Sequence, residues 1–193
     1  MDKGRIDWYK YYLLICLFQK RYGFEKCNQL SMAETIKTFR DSLVYEELKE
    51  LFAGVRDNDI VEIADGVADV AYVLLGSIWT FEGHAEYSEY YDNKLIELEG
   101  TILEYFTPEQ FDRIFNEVHR SNMSKSCNTI DEVHATMAQE KYKDIKYTYT
   151  KTDNKYNIIV DEDFPEKELM KGKLLKSKYY SPAELEFVLE YVV

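Results

Sequence analysis

The spacing of apolar residues along this chain predicts a mainly α-helical protein. The run from about Ile6 to Tyr22 is amphipathic, and Gly23 follows it where a helix would end. Residues 58–81 predict one long, largely apolar helix, and a further helix is expected from about Ala85 to Phe106. Helices therefore account for most of the first hundred residues.

Several helix starts are marked by a capping box, in which an N-cap oxygen is followed three residues later by Glu or Gln. Four such patterns occur, at Ser31-x-x-Glu34, Thr107-x-x-Gln110, Thr129-x-x-Glu132 and Ser181-x-x-Glu184. Asp59-x-x-Glu62 is a looser version. Pro108 and Pro182 fall at the first helical position, where the missing N–H does no harm.

Strand-forming residues are concentrated in one segment near the C-terminus. Residues 146–161 have β-rich flanks around the turn-forming sequence Thr152-Asp153-Asn154, which is typical of a hairpin. We expect a helical core over residues 1–128, with an insertion at about 84–106. Residues 129–193 would then form an extension of helix, hairpin and closing helix that packs on this core.

Composition and charge restrict the classes of function. The chain has 193 residues, and its net charge of −12 argues against non-specific binding to nucleic acid, which requires a basic surface. No apolar run approaches the roughly 18 to 20 residues that span a bilayer, and the N-terminal residues do not resemble a secretory signal. Cys16, Cys27 and Cys127 are widely spaced and predict reduced thiols. We expect a cytoplasmic protein that binds neither membrane nor nucleic acid.

Two acidic clusters carry the candidate chemistry. The first comprises Glu46, Glu47 and Glu50, and the second comprises Glu62, Asp65 and Asp69. The long helix that contains the second cluster has no Lys or Arg over residues 58–81 to neutralise it. Because close carboxylates without cations are costly, and because every ligand is a hard oxygen, the pattern predicts a Mg²⁺ site that Mn²⁺ could also fill.

Helix geometry allows the two clusters to converge. At about 100° per residue, the three acids of the second cluster lie within an arc of about 60°, and those of the first within about 100°. If the two helices pack antiparallel, these stripes can face one another. The alternative is that the first cluster is simply a solvated helix face, as most charge runs are.

These residues resemble the all-α nucleoside triphosphate pyrophosphohydrolases, the MazG-like and phosphoribosyl-ATP pyrophosphohydrolase-like group. The resemblance rests on residues 40–50 (RDSLVYEELKE) and 62–69 (EIADGVAD), with further similarity at 117–125 (EVHRSNMSK) and in the tail at 171–182. The segment 117–125 is similar to one found in phage and bacterial members. The resemblance implies an all-α fold, with a MazG-like four-helix core, extra helices and a small C-terminal β-hairpin.

The resemblance also implies hydrolysis of a nucleoside triphosphate between its α and β phosphates, which gives a monophosphate and pyrophosphate. On this hypothesis Glu46, Glu47, Glu50, Glu62 and Asp65 bind two or more Mg²⁺ ions, and Glu47 or Glu50 takes a proton from the attacking water. Asp69 is either an outer metal ligand or the acceptor of a bond from Arg40 or from a neighbouring subunit.

Substrate binding is assigned to residues outside the acidic clusters. In the family, positions similar to Asn122 and Lys125 meet the nucleotide or its phosphates, and Arg120 is a weaker candidate. Asn122 and Lys125 could equally well just finish a helix. In the first helix, Gln19 is the candidate for reading the edge of the base, although aromatic residues beside it are more often core than pocket.

The sequence therefore predicts a metal-dependent nucleotide pyrophosphohydrolase that forms a homodimer or homotetramer, as the family resembled does. One alternative is a dUTP- or dCTP-specific hydrolase of the same group. Another is a catalytically silent helical protein that senses a nucleotide or binds a partner.

Overall fold

The computed structural model describes residues 4–167 and 169–191. This part of the chain is mainly helical, with one small antiparallel sheet, which confirms the all-α fold with a hairpin. The helices are α1 (Trp8–Tyr22), α2 (Leu30–Asp57), α3 (Ile60–Thr80), α4 (Ala85–Tyr105), α5 (Pro108–Met123) and α6 (Ile130–Met137). The strands are β1 (Tyr147–Thr152) and β2 (Lys155–Val160), and short 3-10 turns span Glu140–Tyr142, Pro165–Lys167 and Glu186–Tyr191.

The described chain forms two compact units. The first contains residues 4–19, 25–119 and 183–191, and the second contains residues 20–24 and 120–182. These limits differ from the division at residues 128 and 129 that the sequence suggested, since the last residues belong with the first unit. None of the described helices is both long enough and apolar enough to cross a membrane.

The helical hairpin of α2 and α3 forms the centre of the first unit. Asn58 adopts the left-handed conformation (φ 52°) between the helices, and Asp59 caps α3 by accepting from the N–H groups of Val61 and Glu62 at 3.0 and 3.3 Å. Most of α3 is buried, because its apolar residues face α2 on one side and α4 on another. The expected 58–81 helix and the Asp59 cap are therefore confirmed.

Aromatic side chains join α1 to α5 within the first unit. Tyr11 and Phe111 pack edge to face with ring centroids 5.4 Å apart, and Phe115 lies 4.5 Å from Tyr11. The helix α5 begins with the expected capping box. The N–H of Thr107 donates to Gln110 Oε1 at 2.8 Å, and the N–H of Gln110 donates to Thr107 Oγ1 at 3.3 Å.

The second unit contains the predicted hairpin. β1 and β2 pair antiparallel from Tyr147 opposite Val160 to Thr152 opposite Lys155. Asp153 and Asn154 both have positive φ, at 49° and 60°, as a two-residue type I′ turn requires. The inner face of the hairpin packs in a small core of its own, with the buried residues Cys127, Val133, Tyr142, Ile145, Ile158, Val160 and Leu175.

Two of the expected helix starts are wrong. Ser31 lies inside α2, which begins at Leu30 after Gln29. Ser181 begins no helix, because its hydroxyl accepts from Arg120 at 2.9 Å and its N–H donates to Ser124 Oγ at 2.9 Å. Tertiary hydrogen bonds within the second unit therefore take the groups that a helix cap would have used.

Candidate active site

Two glycines set the separation of α2 and α3 where the acidic clusters lie. A Cβ on Gly66 would be 2.8 Å from Leu51 Cα, and a Cβ on Gly54 would be 3.0 Å from Glu62 Cβ. A Cβ on Gly66 would be too close to the Leu51 backbone to fit, and one on Gly54 would fit only if Glu62 and Ile63 shifted. The glycines therefore allow this close approach. The pair is antiparallel, and its register places Leu51 opposite Gly66 and Gly54 opposite Glu62.

This register brings the two acidic clusters to matching levels. One turn from the Leu51–Gly66 contact, Glu47 lies level with Val70 and therefore beside Asp69. Glu50 lies one turn before Gly54, on the side of α2 that faces Glu62. At about 100° per residue, all six carboxylates then lie on the same side of the helix pair. We call these six residues the acidic stripe: Glu46, Glu47, Glu50, Glu62, Asp65 and Asp69.

The acidic stripe lines a surface rather than a buried pocket. Glu50 and Glu62 are exposed, and Glu46, Glu47, Asp65 and Asp69 are partly buried. Across the described residues, no three His, Cys, Asp or Glu side chains come close enough to hold a metal ion. The assignment of these six residues as metal ligands stays a prediction.

The donor set nevertheless fits a hard divalent cation. All six groups are carboxylates, and Mg²⁺ and Mn²⁺ prefer oxygen ligands. Glu46, Glu47, Glu50, Glu62 and Asp65 could hold such an ion.

Arg40 lies farther along the same helix pair and does not pair with Asp69. Its Nε donates to Ser77 Oγ at 2.9 Å, and its Nη2 donates to the carbonyl of Val73 at 2.7 Å. Burial lowers the pKa of Arg40 to about 10, because the surroundings replace water that would solvate its charge. The idea that Arg40 donates to Asp69 is therefore wrong, and Asp69 keeps its other possible roles.

Comparison with known proteins relates part of the chain to a known family. Residues 25–82 match the family described as phosphoribosyl-ATP pyrophosphohydrolase. This segment is similar to phosphoribosyl-ATP pyrophosphohydrolases, and we call it the pyrophosphohydrolase-type domain. The match confirms the resemblance to the all-α, MazG-like pyrophosphohydrolases, and it supports a nucleotide pyrophosphohydrolase type of activity. The domain includes α2 and α3 completely, with the whole acidic stripe and Arg40.

A viral relative extends the similarity beyond this domain. The uncharacterized protein L479 of Acanthamoeba polyphaga mimivirus is 26% identical to this chain over an alignment of 222 residues. The alignment covers 81% of this chain and 84% of the relative. No solved structure matches the chain significantly.

Gln19 lies outside the pyrophosphohydrolase-type domain but contacts it. Its side chain is only 4% exposed, and a Cβ on Gly76 of α3 would be 3.0 Å from Gln19 Nε2. The same Cβ would be 2.6 Å from Arg40 Nη2. The structure therefore brings the predicted base-reading amide next to the guanidinium of Arg40. No sequence pattern could pair these two residues, because they are on different helices.

The other predicted substrate residues belong to the second unit. Arg120 donates to Ser181 Oγ at 2.9 Å and to the carbonyl of Pro182 at 2.7 Å. Asn122 is buried, and its backbone carbonyl accepts from the hydroxyl of Tyr22 at 2.8 Å. The carbonyl of Lys125, just after α5, accepts from the N–H of Ser177 at 3.0 Å. These contacts give all three residues a role in holding the second unit together, and their binding of substrate stays a prediction.

Proposed function

We propose that this protein is a Mg²⁺-dependent nucleoside triphosphate pyrophosphohydrolase. It cleaves between the α and β phosphates and releases a nucleoside monophosphate and pyrophosphate. The observation that carries this proposal is the acidic stripe. Six carboxylates from α2 and α3 lie on one side of a helix pair, inside the segment that matches the pyrophosphohydrolase family.

Each part of the acidic stripe has a role in this reaction. Glu46, Glu47, Glu50, Glu62 and Asp65 hold the metal, with Asp69 as an outer ligand or as a contact to a neighbouring subunit. Mg²⁺, or Mn²⁺ in its place, would supply positive charge that offsets the charge of the triphosphate oxygens and makes the attacking water a stronger acid. Glu47 or Glu50 accepts a proton from that water as its oxygen bonds to phosphorus and pyrophosphate leaves.

The remaining assignments complete the proposal. Gln19 contacts the base, and Arg120, Asn122 and Lys125 contact the nucleotide or its phosphates. The protein works in the cytoplasm as a homodimer or homotetramer. A dUTP- or dCTP-specific hydrolase of the same group is a narrower version of the same function.

Product analysis tests this proposal directly. The purified protein is incubated with Mg²⁺ and each common NTP and dNTP in turn, and the products are separated by anion exchange. We expect monophosphate and pyrophosphate in equal amounts. Diphosphate with inorganic phosphate would show that a different bond is cleaved.

Variants of the acidic stripe test the roles of its members. Glu50→Gln and Asp65→Asn each remove one negative charge and keep the shape of the side chain, and we expect turnover to fall by roughly 10²- to 10⁴-fold. Glu97→Gln makes the same change at an exposed position of α4 and should turn over normally. Full activity of both stripe variants would refute the assignment.

One observation favours a second candidate, a catalytically silent protein that senses a nucleotide. In the described part of the chain the carboxylates do not form a group ready to hold an ion. Such a protein would bind nucleotide or metal and yet release no product from any triphosphate. The product analysis, combined with a metal-binding titration, separates the two candidates.

A further inference from the structure

Across residues 4–167 and 169–191, Arg40 is a partly buried cation that no acid neutralises. Its two hydrogen bonds reach an uncharged hydroxyl and a backbone carbonyl, on Ser77 and Val73. The carboxylate next to it in sequence, Asp41, is already bonded to Lys37 at 2.5 Å and to the hydroxyl of Tyr91 at 3.0 Å. A guanidinium removed from water without an anionic partner costs free energy. A ligand with acceptor atoms would offset that cost.

The amide of Gln19 lies in the same place. Its side chain is 4% exposed, so almost all of it is removed from solvent. The amide and the guanidinium meet over Gly76, where a Cβ would be 3.0 Å from Gln19 Nε2 and 2.6 Å from Arg40 Nη2. Three helices, α1, α2 and α3, thus each contribute one residue to this polar cluster, which we call the Arg40 subsite.

The Arg40 subsite is two helical turns from the acidic stripe. Arg40 precedes Glu47 by seven residues on α2, and Gly76 follows Asp69 by seven residues on α3. Since the helices are antiparallel, both intervals run in the same direction, and each corresponds to roughly 10 Å along the axis. This is the scale of the separation between the base and the phosphates of one nucleotide.

We propose that the Arg40 subsite binds the nucleobase and selects bases that carry a carbonyl oxygen on their recognised edge. This inference rests on the proposed function, because it places the phosphates at the acidic stripe. A guanidinium can only donate hydrogen bonds, so it donates to O4 of uracil or O6 of guanine and cannot pair with the amino groups of cytosine and adenine. Gln19 can donate or accept, so it adapts to the neighbouring ring atom.

The charges of the two sites favour the base over a phosphate as the group that binds in the Arg40 subsite. Phosphates belong next to the metal that the six carboxylates would hold, and one triphosphate cannot reach both places with its phosphates. Arg40 also keeps two of its donors on Ser77 and Val73, which fixes the plane of the guanidinium. A fixed plane of donors suits a flat base edge.

Binding of nucleoside monophosphates without metal tests the subsite independently of turnover. Calorimetric titrations compare dUMP with dCMP, and dGMP with dAMP, because the members of each pair differ in the oxo or amino group. We expect the oxo member to bind on the order of 10- to 100-fold more tightly. Equal binding, a preference for the amino member, or binding of none of the four would overturn the inference.

Variants then locate the preference. Arg40→Gln should abolish the preference, and Gly76→Ala should weaken it strongly because the new methyl group displaces both polar side chains. Gly100→Ala is the matched control, since a Cβ there meets nothing within 4 Å. Melting curves confirm that each variant is folded. An undiminished preference in a folded Arg40→Gln protein would also overturn the inference.

The two proposals can fail separately. If monophosphates show the oxo preference and no triphosphate is hydrolysed, the subsite stands and the pyrophosphohydrolase proposal is wrong. If pyrophosphate is released from every triphosphate at the same kcat/KM, the reaction stands and the subsite is wrong. A dUTP over dCTP preference in kcat/KM that disappears in Arg40→Gln supports both.

Discussion

Gly66 and Gly100 are both in the middle of helices of the first unit, but their surroundings differ. Gly66 faces the backbone of Leu51, and a Cβ would be 2.8 Å from its Cα. Gly100 is exposed on α4 and a Cβ there meets open space. A glycine in a helix costs stability relative to alanine unless the missing side chain allows a close contact. Only Gly66 has that compensation.

We therefore predict opposite effects of the same substitution at these two positions. Gly66→Ala should lower the free energy of unfolding by about 1–3 kcal/mol, because backbone cannot yield as a side chain would. Gly100→Ala should raise it by about 0.5–1 kcal/mol. Urea unfolding followed by circular dichroism measures both. A Gly66→Ala protein as stable as the parent would show that α2 and α3 are not in this contact.

His119 is a second residue whose behaviour follows from its surroundings. Its Nδ1 lies 3.0 Å from the hydroxyl of Tyr72, and burial lowers its pKa because the charged form is poorly solvated. In the folded protein it therefore stays neutral to a lower pH than in the unfolded chain. Below the unfolded pKa of about 6.5, the unfolded state binds more protons, so stability falls as pH falls.

Replacing His119 tests this proton linkage. His119→Asn should reduce the loss of stability between about pH 7.5 and pH 5.5, since the residue that titrates is gone. His134 is exposed, so His134→Asn should leave the pH dependence as it is. The free energy of unfolding is measured at each pH by urea titration. Equal slopes for the parent and His119→Asn would contradict the prediction.

At the scale of the elements, local sequence patterns predicted helix starts correctly where the polar groups of the capping residue bond within the same helix. They failed where residues distant in the sequence bond to those groups instead. The boxes at Thr107 and Thr129 and the cap at Asp59 form as expected, because their side chains bond the backbone of the next turn. Ser181 has the same pattern, but its hydroxyl and N–H bond Arg120 and Ser124. These partners are about sixty residues away in sequence, so no local pattern could identify them.

The capping box of α5 gives a prediction at this scale. Thr107→Ala removes the oxygen that accepts from the Gln110 N–H, and we expect the free energy of unfolding to fall by about 1 kcal/mol. Thr35→Ala, at an exposed position inside α2, changes the same residue type without removing a cap and should have little effect. Thermal unfolding compares the two. Equal melting temperatures would mean that this cap contributes nothing.

At the scale of the whole molecule, the proposed metal site predicts that the protein's stability depends on metal. Six carboxylates on one side of a helix pair repel one another, and a bound divalent cation relieves that repulsion only in the folded state. We expect millimolar Mg²⁺ or Mn²⁺ to raise the melting temperature, and nucleotide to raise it further. Ca²⁺ should bind as well but support little turnover, because its looser geometry holds the attacking water poorly.

A variant that lacks one carboxylate of the acidic stripe tests this metal effect, and Glu97→Gln is the matched control. Asp65→Asn should reduce the increase in melting temperature that Mg²⁺ produces, because one predicted ligand is lost. Glu97→Gln should respond to Mg²⁺ as the parent does. Differential scanning calorimetry across a Mg²⁺ series measures the effect. An unchanged melting curve of the parent in Mg²⁺ would count against a metal site at the stripe.

The sequence by itself determined the helices, the hairpin with its turn at Asp153 and Asn154, and the family to which residues 25–82 are related. These depend on periodicity and on contacts within one or two turns. Only the tertiary structure decided the partners of Arg40, the meeting of Gln19 with Gly76 and the contact of Gly66 with Leu51. Each joins different helices, and its partner depends on how those helices pack, which no local pattern specifies.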